Sequence, residues 1–105
     1  MPETESRTMH ELKVVPPYFD RLADGTKPYE VRKDDRGFQR GDALHLREWQ
    51  PATDTGGSRY TGRSLYATVG HVFRQGFGVD LGEYVVLGLV AVEVRSLGLA
   101  PGASS

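Results

Sequence analysis

The chain has 105 residues, of which 38% are hydrophobic and 26% charged, with no cysteine and a formal net charge of -1. That length supports one domain with one small core and is too short for two. The composition excludes a disulfide scaffold, a cysteine-based zinc or iron–sulfur site and a cysteine nucleophile, and the near-neutral balance gives no global electrostatic case for nucleic acid or membrane.

Met1 to Thr8 is polar and acidic, where an export signal would be cationic and then apolar. Residues 1–8 and 96–105 therefore read as disordered tails, and residues 9–95 as the domain, in a chain expected to be cytoplasmic. His10-Glu-Leu-Lys-Val alternates as a half-buried strand does, with His10 on the same side as Leu12 and Val14. Pro16-Pro17 then suits the first turn of a helix, Phe19, Leu22 and Ala23 give it one apolar face, and Gly25 ends it. Tyr29 to Lys33 reads as a second strand. Gly41-Asp42 marks a turn before a third, Ala43 to Trp49, whose phase puts Leu44, Leu46 and Glu48 inward.

After the polar loop Pro51 to Ser58, a long strand is expected from Tyr60 to Phe73, with a bend at Gly70. Arg74 to Gly82 reads as a mobile loop, and Tyr84 to Val94 as a strand buried on both sides. Its longest apolar run, Tyr84 to Val92, is about half the length of a membrane-spanning helix, so no membrane partner is expected. About five strands with one short helix after the first define an α+β class built on a small β-barrel.

Arg7 to Arg74 holds 12 of the 13 basic residues against 9 acids. Within that stretch Lys27, Glu30, Arg32, Lys33, Asp34, Asp35 and Arg36 form the densest polar constellation. Glu30 and Arg32 project from one strand face about 7 Å apart, with Lys27 just upstream, so an acceptor and cationic donors converge where a base edge or phosphate fits. The same i, i+2 spacing also suits a solvated ion pair.

His10 and Glu48 are polar residues in core phase, as in residues that line a barrel mouth or as buried groups satisfied by the backbone. Trp49, Tyr29, Tyr60, Tyr66, Phe38 and Phe77, interleaved with arginines, offer stacking platforms or core packing. His10, His45 and His71 are too scattered for a metal site, so no metal or other cofactor is expected. A Gly-x-Ser-x-Gly elbow and a phosphate-binding glycine loop are both absent from the sequence.

Taken together, His10-Glu-Leu-Lys13, Gly25-x-Lys27-x-x-Glu30-x-Arg32-Lys-x-Asp35-Arg36, Phe38-Gln-x-Gly41-Asp42, Leu46-x-Glu48-Trp49, Tyr60-Thr-Gly62-Arg63 and Tyr84-Val-Val resemble the ASCH domains of the PUA-like superfamily, in a small branch found in bacteria and phages. The resemblance implies a PUA-like β-barrel with a cleft beside the helix and the following strand, and binding of RNA or modified nucleosides. Some ASCH relatives are hydrolases, among them an amidohydrolase whose lysine is followed three residues later by a catalytic threonine. Lys27 matches that lysine, but Glu30 stands at the threonine position.

The leading expectation is a domain that binds RNA or a nucleotide in a cleft lined by His10, Lys13, Lys27, Glu30, Arg32, Arg36, Glu48 and Trp49. Lys27, Arg32 and Arg36 would hold phosphate or base acceptors, Glu30 would accept from an amine or hydroxyl, and Trp49 would stack. The alternative is a small hydrolase, a ribonuclease or modified-nucleoside amidohydrolase. There Glu30 or Glu48 would act as general base beside Lys27 or His10. The third alternative is a domain that recognises a protein partner through strand edges or the Gly76 loop.

Overall fold

The computed structural model describes residues 8–96, so apart from Thr8 and Ser96 the expected tails lie outside the described residues. Each element follows from a local pattern. In β1 (Met9–Val14) the alternation turns His10, Leu12 and Val14 inward. Val15 is extended and Pro16 and Pro17 fill the first turn of α1 (Pro16–Ala23), where a missing N–H costs nothing. Phe19 and Leu22 bury its inner face completely. Gly25, at φ 85°, turns the chain out of the helix, and the Asp24 carboxylate takes the Thr26 amide and hydroxyl at 2.9 and 2.7 Å.

There follow β2 (Tyr29–Lys33), β3 (Ala43–Gln50), β4 (Arg59–Phe73), a hairpin of β5 (Gln75–Gly76) and β6 (Val79–Asp80), and β7 (Tyr84–Ser96). Five strands form one sheet in the order β1-β3-β4-β7-β2, with β1 parallel to β3 and every other pair antiparallel. Irregularities in register fall between Arg47 and Trp49, Tyr66 and Thr68, and Val69 and His71. The second coincides with Ala91, a non-glycine residue at φ 54°. Such bulges sharpen the twist of long strands, and the sheet curls into a half-barrel around Leu12, Phe19, Leu22, Leu44, Leu46, Leu65, Val85 and Leu87.

The edge strands β1 and β2 do not pair with each other. Arginines span the seam between them: Arg32 Nη2 donates to the Lys13 carbonyl, and Arg36 Nη1 to the Glu11 carbonyl at 3.1 Å. Two residues apart on a strand, those carbonyls point the same way, so side chains satisfy an edge that a closed barrel would pair with another strand.

Five principal strands and one short helix after the first stand as the sequence led us to expect, and two local expectations are corrected. Within Arg74 to Gly82, expected as a mobile loop, residues 75–80 form a tight hairpin. β7 is buried on one side only, and only as far as Leu89: Val85, Leu87 and Leu89 face the core, whereas residues 90–95 are exposed on both sides because nothing among the described residues covers that end of the sheet. No helix among the described residues is long and apolar enough to cross a membrane.

Candidate functional site: a cationic cleft at the seam of the half-barrel

The unpaired seam leaves a cleft of about 530 Å³. The end of β1 and the start of α1 form one wall through Lys13, Val14, Val15 and Tyr18; Lys27 and the β2 residues Tyr29 to Lys33 form the other, with Tyr84 of β7 at its end. Tyr84 arrives there because β2 and β7 run antiparallel with Lys33 opposite Tyr84.

At the base lies Glu30, only 6% exposed. Its Oε1 accepts from Lys27 Nζ at 3.2 Å and its Oε2 from Arg32 Nε at 2.8 Å, while Lys27 Nζ also donates to the Tyr29 carbonyl at 2.9 Å. A buried carboxylate is tolerated when both oxygens are paired in this way. Lys27 also sits 4.9 Å from the centre of the Tyr29 ring and 5.6 Å from that of Tyr18, within cation–π range. The lining thus has four cations, Lys13, Lys27, Arg32 and Lys33, against one carboxylate, framed by three tyrosines with exposed rings.

Of the residues singled out from sequence, the structure brings together Lys13, Lys27, Glu30 and Arg32, and places the other four elsewhere. Arg36 is committed to the Glu11 carbonyl across the seam and is not part of the cleft lining. His10 lies four residues before Val14, about 13 Å along the strand. There Nε2 meets Asp42 Oδ2 at 2.9 Å and the ring packs against Phe38. Glu48 is 4% exposed and fully occupied: Thr61 Oγ1 and Arg63 Nε donate to Oε1 at 2.6 and 2.8 Å, and Arg63 Nη2 donates to Oε2 at 2.8 Å. Those bonds, with Arg63 first, hold the Glu48 carboxyl below the usual carboxylate range, and Glu48 in turn raises Arg63.

Trp49 faces the outside of the sheet, edge-on to Tyr60 at 4.8 Å, with Lys13 Nζ 3.9 Å above its ring. Near it Arg47 stacks on Tyr60 at 3.6 Å, beside a depression of about 190 Å³ bounded by His45, Arg47, Tyr60, Gly62, Arg63 and Ser64. No group of three or more His, Asp or Glu among the described residues is arranged to hold a metal ion.

Tyr18 and Tyr84 complete the cleft although the sequence alone did not mark them as site residues, and Lys33, a member of the charged constellation, joins them. Tyr18 carried a usable signal, an aromatic side chain on the polar side of an amphipathic helix. Tyr84 carried none, since its place depends on the pairing of strands some fifty residues apart.

Over 92% of this chain and 82% of the other, the sequence is 34% identical to an uncharacterized 12.9 kDa protein in the GpA 3′ region of Escherichia phage P2. Residues 9–89, from the start of β1 into β7, match a family model and hold every residue of the cleft. The chain belongs to the family described as a domain of unknown function, DUF3850.

Proposed function

We propose that this domain binds single-stranded RNA or its nucleotides in the seam cleft, as a PUA-like domain of the ASCH type. The observation that carries the reading is the excess of four cations over one internally paired carboxylate, set among three exposed tyrosine rings. Phosphates are held by lysine and arginine, and unstacked bases by aromatic faces and by polar groups that read their edges. The curled sheet with one short helix after the first strand supports the PUA-like assignment.

An amide chemical-shift titration with a short single-stranded RNA, and in parallel with cytidine and its acylated form, tests the reading. Saturable shifts confined to Lys13, Tyr18, Lys27 to Lys33 and Tyr84 are expected, weakening as salt rises because phosphate contacts release counterions. No shifts at millimolar ligand, or shifts only on the outer face around Trp49 and Tyr60, would overturn it.

A second reading, hydrolysis, has one observation in its favour, the contact between Lys27 and Glu30 inside the cleft. Product signals that grow with time and vanish in Glu30→Gln would establish it. Glu48 takes no part in this version, because Arg63 and Thr61 already occupy both of its oxygens.

A further inference from the structure

Between β4 and β7 the chain doubles back through the β5–β6 hairpin, in which Gln75 faces Asp80 and Gly76 faces Val79, leaving Phe77 and Gly78 as the whole loop. Both loop residues have positive φ, 53° and 80°, as in a type I′ turn. Glycine, asparagine and aspartate are the residues this turn selects, and a bulky side chain at its first position is strained. Burial does not offset that strain, because Phe77 is completely exposed, at 102% of its reference area.

The root of the hairpin is firmly held. Arg74 Nη2 donates to the Phe38 carbonyl at 2.9 Å and to Asp34 Oδ1 at 3.2 Å, and the Leu81 amide donates to the Arg74 carbonyl at 3.1 Å. Asp80 Oδ1 accepts from the Gly82 amide at 2.8 Å, and Gly76 lies so close to the Phe73 ring that an added Cβ would sit 3.3 Å from it. The hairpin is also tied to the cleft. Asp34, which Arg74 grips, directly follows Lys33 and donates its amide to the Glu83 carbonyl at 2.7 Å, and Glu83 precedes Tyr84. Lys33 and Tyr84 both line the cleft.

A strained aromatic side chain that is wholly exposed on a rigid mount contributes nothing to folding, and such an outlier points to a use outside the fold. We propose that Phe77 is a base-stacking residue, receiving a nucleobase of a single-stranded RNA that runs out of the seam cleft past Lys33 and Tyr84. This inference rests on the cleft's being an RNA site, and it extends that site from one nucleotide to a strand. An aromatic ring suits the purpose because every base has a π face and no sequence-specific hydrogen bond is needed.

The test compares Phe77→Gly, Phe77→Leu and Phe77→Tyr with the wild type, using uridine monophosphate, an oligouridylate and thermal unfolding. Phe77→Gly is expected to raise the melting temperature by relieving the turn, to bind uridine monophosphate as the wild type does, and to bind the oligouridylate about 5- to 100-fold more weakly, the loss of one stacked base. Phe77→Tyr keeps oligouridylate affinity. Phe77→Leu, apolar but without a π face, loses it.

Wild-type oligouridylate affinity in both Phe77→Gly and Phe77→Leu would overturn the stacking role while leaving the cleft intact. Affinity kept by leucine and lost by glycine would show an apolar contact and overturn stacking as well. A wild-type protein that binds neither ligand would overturn the cleft as an RNA site and the stacking role with it.

Discussion

Arg63 and Glu48 meet in a two-pronged pair, Nε to Oε1 and Nη2 to Oε2, both at 2.8 Å. The same Nη2 reaches Asp20 Oδ1 of α1 at 2.7 Å, and the guanidinium lies 4.7 Å from the centre of the Phe19 ring. One side chain from β4 thus fastens the helix to β3, beside the bulge where Arg47 and Trp49 lose common register with β4. Arg63→Ala strands a buried carboxylate with Thr61 as its remaining donor. The expected cost is about 2 to 3 kcal/mol, at the low end for a broken buried pair because Arg63 itself is partly exposed. Denaturant unfolding measures it; a loss under about 0.5 kcal/mol, as at an ordinary surface position, would show that the pair does not hold the helix.

The same pair sets a pH dependence. Arg63, then Thr61, lowers the folded-state pKa of Glu48 below its ordinary 4.5. Its stabilisation is therefore fully present above the unfolded-state value and is lost as pH falls through the folded-state one. Wild-type stability should decline as pH drops below about 4.5, and Glu48→Gln, less stable at neutral pH, should converge on the wild type in acid. Urea midpoints from pH 7 to pH 3 follow both proteins. A gap that stays constant or widens in acid would contradict the linkage.

The sequence revealed the inward phase of His10 and Glu48, because strand alternation is a local property, and both are buried. It did not reveal their partners. Arg63 lies 15 residues from Glu48 and Asp42 lies 32 residues from His10, so those contacts exist only after β1, β3 and β4 are aligned. The eight residues expected in one cleft share a face or a neighbourhood in sequence, yet the cleft arises from the unpaired β1–β2 seam, a consequence of strand order that alternation does not encode. Two-sided burial of β7 was misjudged for a related reason. An apolar run looks the same whether or not a second layer covers it, and here the end carrying Val92 and Val94 has no cover among the described residues.

Asp42 is a structural partner, and its removal should separate stability from binding. Its Oδ2 accepts from His10 Nε2 and from the Gln39 amide, both at 2.9 Å, and so holds the turn before β3 against β1. Asp42→Ala leaves those two donors unpaired in a mostly buried place, at a cost of about 1 to 3 kcal/mol. Nucleotide affinity at a temperature where the variant is folded should equal that of the wild type. A tenfold loss of affinity without a matching loss of stability would instead place the His10–Asp42 pair in the ligand site.

Lys13 is the cleanest probe of the cleft. Its side chain is exposed and joins no salt bridge in the described structure; its ammonium lies over the Trp49 ring at 3.9 Å, on the rim between the cleft and the outer face. Lys27 and Arg32, by contrast, cannot be removed without stripping a donor from buried Glu30. Lys13→Ala should unfold within about 0.5 kcal/mol of the wild type, as surface substitutions do. If Lys13 holds one phosphate, the slope of log affinity against log salt for single-stranded RNA becomes shallower by about 0.7. An unchanged slope with unchanged affinity would remove Lys13 from the phosphate path and place the strand on the Lys27, Arg32 and Lys33 side of the cleft. A weaker affinity with the original slope would instead assign Lys13 an indirect role, steadying the Trp49 ring that it covers.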